Sequence, residues 1–247
     1  MHSVVTVVIR DSHHIGCLAA FLTRATDRGM MVTVASSDPA VASVAPFGGR
    51  TAVFTPDPLA VGIPTDGDPI LIDVSASITT NGMANRLRRE GRRFPGPWAL
   101  DAAGRPTDDP EALFTDPPGT LLPIGGAVYG HKGFGLAVMV EALTQGLGGF
   151  GRAGKPGRWG ASVFVQVIDP SAFGGQDAFR RETGWLAAAC RASPPVPGTD
   201  AVRLPGQRGL ERKRRALAEG LELYPGILES LEPLAAKFGV QPPRPRA

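Results

Sequence analysis

The opening of the chain constrains the fold most. Ser3 to Arg10 (SVVTVVIR) is apolar and β-branched, the composition of a strand. Ile15 to Arg28 (IGCLAAFLTRATDR) sets Leu18, Phe21, Leu22 and Ala25 on one stripe at helical spacing, and Gly29 follows as a C-terminal cap. Met30 to Ala35 (MMVTVA) is a second strand. Strand, helix, strand over about thirty residues is the length of a βαβ unit, so the expected class is α/β. The apolar run Val4 to Ile9 is short and is followed by Arg10-Asp11. It reads as a buried strand, not as a targeting segment.

The rest of the chain has the same grain. With 32 Gly and 24 Pro in 247 residues, many short elements joined by tight turns are expected. Ile70 to Ser75 (ILIDVS) and Ser162 to Asp169 (SVFVQVID) read as strands, and Ile78 to Arg89 as a helix that carries Arg86, Arg88 and Arg89 to the surface. Ala45 to Pro64 is turn-rich, and Gly91 to Leu122 reads as an ordered loop. Lys132 to Leu147 is apolar nearly all round, the pattern of a buried helix, with Glu141 as its acidic residue. Gln176 to Ala192, Gly209 to Leu223 and Ile227 to Phe238 are the remaining helices. One domain is expected over residues 1–240, with a cofactor-binding subdomain around 30–150 and a disordered tail at 241–247.

Composition excludes several classes. Hydrophobic residues make up 43% and charged residues 20%, which suits a packed core rather than a disordered chain. A net charge of +3 and 6% aromatics give neither the field nor the stacking platform of a nucleic-acid binder. No apolar run reaches membrane-spanning length. Cys17 and Cys190 match no metal or redox spacing, so no metal is expected.

Two apparent motifs are decoys. Gly149, Gly151 and Gly154 satisfy G-x-G-x-x-G, but they follow a helix and precede Lys155-Pro156, the wrong context for a dinucleotide or phosphate loop. The segment Gly148 to Gly160 reads as a mobile surface loop. The basic cluster at Arg208 and Arg212 to Arg215 reads as a solvated helix face. Arg86, Arg88, Arg89, Arg92 and Arg93 read as surface charge, with a 2′-phosphate as their alternative partner.

Ser12-His13-His14-Ile15-Gly16 lies between strand and helix, where an imidazole is well placed for acid–base work. Either histidine fits that reading. Later segments run in a definite order: VASSDPAVASVAPFGG, FTPDPLAVGIP, LIDVSAS, WALDAAGRPTDDP, LLPIGG and GHKGFGLAVMVEAL. Together, from residue 3 to about residue 230, they resemble the malate/L-lactate/ureidoglycolate dehydrogenase family, which includes sulfolactate dehydrogenases and reductases of cyclic imino acids.

The resemblance implies a family-specific, non-Rossmann α/β fold with a mixed sheet and helices. It implies hydride transfer between NAD or NADP and the carbon next to a carboxylate. The family's S-x-H-F-G motif falls on Ser12, His14 and Gly16, with Ile15 in place of Phe. This makes His14 the general acid/base and puts Ser12 at the substrate. Asp73 matches the family's strand-end Asp, which orients the histidine or assists proton transfer; its structural alternative is a cap on nearby backbone N–H groups. Cofactor contacts would fall on Ser37, on Thr55, Pro56 and Asp57, and on His131, Lys132 and Gly133. In the last group, helix-start N–H groups and a Lys ammonium suit a pyrophosphate.

The same resemblance marks departures. The family's N-terminal helical segment, with a His-Gly motif and an Arg that grips the substrate carboxylate, has no counterpart before Ser3, so an N-terminally truncated member is expected. Asp57 stands where many relatives have Asn, which puts a negative charge near the cofactor loop, and Met83 replaces a common Lys. A cytoplasmic homodimer acting on a small carboxylate is implied, without nucleic acid or membrane. The competing expectation is a catalytically impaired relative that only folds, binds nucleotide or dimerises.

Overall fold

The computed structural model describes residues 2–224 and 226–243. Five strands make the main sheet: β1 (Val4–Ser12), β2 (Met31–Ser37), β3 (Pro58–Ile63), β4 (Ile70–Ser75) and β8 (Ala161–Ile168), in the order β1-β8-β2-β3-β4. The intervening β5 (Ala99–Leu100), β6 (Pro106–Thr107) and β7 (Thr120–Leu121) form a small second sheet in the order β6-β5-β7. The segment 91–122, expected to be a loop, therefore has paired structure. Strands of two residues leave no periodicity to read.

The expected βαβ unit is present in split form. β8 inserts between β1 and β2 and pairs antiparallel with both, Val8 facing Phe164 and Ala35 facing the same Phe164. β3 and β4 continue the sheet antiparallel. This topology brings the C-terminal ends of β1, β2 and β4 to the same edge as the N-terminal ends of β3 and β8. Ligand sites in α/β sheets form beyond such strand ends.

α1 (Ala19–Thr26) packs on the sheet and buries Leu22 completely, which stabilises by roughly 2 kcal/mol. Gly62 permits the contact. A Cβ there would meet the Thr26 methyl at 2.9 Å, and Leu22 and Val32 at 3.0 Å. The helix is shorter than its periodic pattern because residues 15–18 run from the strand end across to it.

β1 corrects an expectation. It is not buried: Val4, Val5, Val7 and Ile9 are 41–49% exposed. Among the described residues it pairs on one side alone, with β8, so its apolar composition belongs to a sheet edge.

The remaining helices are α2 (Asn81–Arg89), the short α3 (Gly126–Tyr129), α4 (His131–Glu141), α5 (Gln176–Ala192), α6 (Gln207–Glu219) and α7 (Ile227–Phe238). α4 runs on into a π-turn, Ala142–Gly146, which buries Thr144 and Gln145. Val140 of α4 packs with Ala35 and Phe164. A larger cluster joins Val44, Phe54, Leu87, Phe94 and Leu121.

Contacts within the chain group it into two compact units, one up to Pro205 and one from Gly206 onward. The second contains α6 and α7, and the basic cluster expected on a solvated face is exposed on α6. Of the tail expected to be disordered, residues 244–247 lie outside the described residues. Among the described residues no helix is long and apolar enough to cross a membrane.

Candidate active site at the sheet edge

A β-bulge between Ile9 and Ser12 ends the regular part of β1, with Asp11 in the left-handed region at φ 54°. Bulges of this kind re-aim the chain beside active sites. The loop that follows borders a cavity of about 470 Å³ with His14, Ile15, Gly16, Cys17 and Leu18. β2 contributes Ser36 and Ser37, with Asp38 after them, and the approach to β3 contributes Thr55 and Pro56. β4 contributes Asp73 and Ser75, the start of α2 contributes Thr80, Asn81 and Gly82, and the approach to β8 contributes Trp159. His14, Ser37, Thr55, Pro56 and Asp73 are thus brought together. His13 is not among the bordering residues, and neither is Ser12, whose hydroxyl donates to the His13 carbonyl at 3.1 Å.

His14 has a defined polarity. Its Nδ1 accepts the Gly16 N–H at 3.0 Å, which leaves the proton of the neutral ring on Nε2. Its ring stacks on Trp159, centroids 5.9 Å apart and planes at 29°. Asp73 Oδ2 accepts the Ala19 N–H at 2.8 Å and the Cys17 thiol at 3.3 Å. Asp73 therefore caps the first turn of α1 from a distant strand. Partial burial pushes the Cys17 thiol above its ordinary range, and the hydrogen bond to Asp73 and its charge add to that.

Ser37 is held from behind. The Thr144 hydroxyl donates to the Val140 carbonyl at 2.7 Å, so the Ser37 hydroxyl donates to Thr144, also at 2.7 Å. Gln145 Nε2 donates to Ser37 Oγ at 3.0 Å, and Gln145 Oε1 accepts the Arg152 N–H at 3.1 Å. The Arg152 guanidinium pairs with Glu141 at 2.7 Å and donates to the Val41 carbonyl at 2.6 Å. The π-turn thus ties the cavity floor to the Gly-rich loop. The Arg152 end of that loop is tied down by these bonds.

Asp57 corrects a second expectation. It is fully buried behind the cavity at φ 47°, and the Thr55 hydroxyl donates to its Oδ1 at 2.6 Å. Burial, then the nearby Glu141 charge, push its carboxyl up to about 8, against the smaller opposing effects of Thr55 and Arg152. At neutral pH Asp57 is a neutral acid and brings no negative charge to the cofactor loop.

Neither this cavity nor a neighbouring one of about 990 Å³ is bordered by His131, Lys132 or Gly133. The Gly133 N–H is bonded to the Ile124 carbonyl at 3.2 Å, and α3 leads directly into α4, so the Gly133 N–H is not open at a helix start. His131 meets Phe47 edge-on, and the Lys132 ammonium lies over the Tyr129 ring at 5.5 Å. Of the Arg86–Arg93 cluster, Arg86 and Arg92 pair with Glu90, Arg88 with Glu111, and Arg93 with Asp108.

Three features here were not assigned to the site from sequence: Asp38, Trp159 and the first turn of α2, although a helix over Ile78 to Arg89 was expected. Asp38 is buried, and its Oδ2 has no hydrogen-bond partner among the described residues. The signal available for α2 was Thr80 four residues ahead of Ala84, a side-chain cap that accepts the Met83 N–H.

Comparison with known proteins identifies the class. The malate/L-lactate dehydrogenase family model matches residues 1–232, and the chain belongs to that family. It is 30% identical to a malate dehydrogenase of Pyrococcus horikoshii, over 95% of this chain and 66% of that protein. It is 33% identical to a (2R)-3-sulfolactate dehydrogenase (NADP(+)) of Chromohalobacter salexigens, over 94% of this chain and 67% of that protein. The crystal structure of malate dehydrogenase from Entamoeba histolytica superposes with a TM-score of 0.89 at 25% identity, covering 98% of this chain and 71% of that one. The chain thus spans about two thirds of the length of the curated relatives it matches, and the expected mixed α/β family fold is the one found.

Proposed function

We propose that the chain is an NAD(P)-dependent oxidoreductase acting at the carbon next to a carboxylate, on a small 2-hydroxy/2-oxo acid or a cyclic imino acid. One observation carries this reading: His14 borders a cavity at the common edge of five strands, with Nδ1 bonded to Gly16 and Nε2 left to carry the proton. Family membership and the names of the relatives support it.

The residues fit a nicotinamide nucleotide. Asp38 offers a buried carboxylate oxygen without a partner, suited to a ribose hydroxyl. Ser37, its own proton committed to Thr144, and Thr55 supply polar groups, and the first turn of α2 at Asn81 and Gly82 suits a phosphate. The nucleotide, when bound, supplies or takes up the hydride. His14 moves the matching proton: in reduction the imidazolium, protonated on both nitrogens with the Gly16 N–H bond released, gives its Nε2 proton to the carbonyl oxygen or imine nitrogen and becomes neutral, and in oxidation the neutral ring takes up the hydroxyl proton. Asp73 supports the loop through Cys17 and α1. In this reading Ser37, Thr55 and Pro56 contact the cofactor, Asp57 backs their loop, and Gly133 acts through packing.

The test is NADH and NADPH oxidation by the purified chain with pyruvate, oxaloacetate and a cyclic imino acid. Turnover that falls at least about a hundredfold in His14→Ala is expected.

A further inference from the structure

We propose that Trp159 is a positioning and specificity-determining residue of the His14 site, and that it selects substrates with an apolar or planar side group over dicarboxylates. This rests on the reading of His14 given above.

Trp159 is carried by the segment 148–160, whose glycines would let a side chain wander. The segment is held at both ends. Arg152 is bound to Glu141, to Gln145 and to the Val41 carbonyl. The Ser162 hydroxyl donates to the Phe150 carbonyl at 3.2 Å, and Arg158 pairs with Asp11 on the bulge of β1. Trp159 then leads directly into β8, so the indole is placed by β1, α4 and β8 together.

What it is placed against is the His14 ring. The Gly16 N–H fixes the edge of the imidazole and the indole fixes its plane. An acid/base held in both respects loses less orientational freedom when the substrate arrives.

The cavity wall also has a chemical bias. Trp159, Val41, Ile15, Leu18 and Pro58 give it apolar surface. Its acidic residues are Asp38, given above to the ribose, and Asp73, and no Lys or Arg borders it among the described residues. A second carboxylate on the substrate would meet apolar surface and the Asp73 carboxylate, whereas a branched or ring-shaped side group meets the indole face.

The experiment measures binding of 4-methyl-2-oxopentanoate and of oxaloacetate to the full chain by calorimetry in the presence of NADP+. Wild type is compared with Trp159→Phe, Trp159→Leu and Trp159→Arg, and NADPH turnover is followed in parallel. The apolar acid is expected to bind at least about tenfold tighter than oxaloacetate in wild type. Trp159→Phe keeps that ratio with a kcat between wild type and Trp159→Leu, Trp159→Leu keeps the ratio but loses about tenfold in kcat, and Trp159→Arg turns the preference toward oxaloacetate. Equal or tighter oxaloacetate binding in wild type, a ratio unmoved by Trp159→Arg, a kcat unmoved by Trp159→Leu, or no binding of either acid overturns the proposal. If the binding pattern appears without turnover by wild type, the specificity wall stands and the oxidoreductase reading fails.

Discussion

Asp57 and Glu141 bring two carboxyl groups together in the interior, and Arg152 is the cation paired with Glu141. One cation between the buried Asp57 and the half-buried Glu141 does not offset both charges, so Asp57 keeps its proton at neutral pH. The pair sits between the Thr55–Pro56 turn and the Gly-rich loop, and both of these reach the cavity.

The sign of the pH dependence follows. The Asp57 carboxyl is raised from 3.8 to about 8 in the folded chain, so folding takes up a proton between those values. The stability tied to this proton is complete below about pH 4, declines as pH rises, and is lost above about pH 8. Asp57→Asn keeps an acceptor for Thr55 and removes the titration. Urea denaturation at pH 6 and pH 9 should show the variant gaining on wild type at pH 9. A difference that stays constant with pH contradicts a protonated Asp57.

Arg152→Met should cost more than a surface ion pair. Arg152 and Glu141 side chains are 22% and 15% exposed, and the change leaves two carboxyl groups without their cation. A loss of about 2–3 kcal/mol in denaturant unfolding is expected, with red-shifted indole emission as the loop is released from Gln145 and Val41. A loss below about 0.5 kcal/mol would place the pair among ordinary surface bridges.

Asp73 separates a structural from a catalytic role. Asp73→Asn retains an acceptor for Ala19 but removes the charge beside Cys17. The thiol pKa falls, so iodoacetamide at pH 8 should label Cys17 faster than in wild type, as followed by mass spectrometry. Turnover should stay within about threefold, and Asp73→Ala should cost about 1 kcal/mol through the lost cap. A hundredfold loss in Asp73→Asn with stability intact would make Asp73 part of the proton transfer.

Gly133→Ala tests the packing account of the α4 glycines. A Cβ there meets Ile124 N at 2.3 Å and Ala76 O at 2.6 Å, both backbone. Destabilisation of at least about 2 kcal/mol is expected. Normal stability combined with lost NADPH binding would return this glycine to the cofactor site.

The sequence disclosed what local pattern can disclose. β2, β4 and β8 were readable from their β-branched runs, and α5 and α7 from helical periodicity. β3 was hidden because Pro58 opens it and its residues, PLAVGI, do not alternate cleanly. The buried character expected of β1 failed because composition does not distinguish an edge strand from a central one. His14, Ser37, Thr55, Pro56 and Asp73 were reached through family motifs, and they border one cavity. Trp159 and the Asp57–Glu141–Arg152 group were not reached, because their meaning lies in contacts between segments far apart in the chain. Gly133, expected at the cofactor, has the Ile124 and Ala76 backbone close against it, and sequence alone does not separate a glycine kept for packing from one kept for a ligand.

The most direct test of the central claim is a single comparison of wild type with His14→Ala and His13→Ala, following NADPH oxidation with a 2-oxo acid and a cyclic imino acid. Turnover that survives in His13→Ala and falls at least about a hundredfold in His14→Ala, with NADPH still bound, is the predicted result. Turnover that is unchanged in His14→Ala, or lost equally in both variants, would contradict the assignment of His14 as the residue that holds the proton.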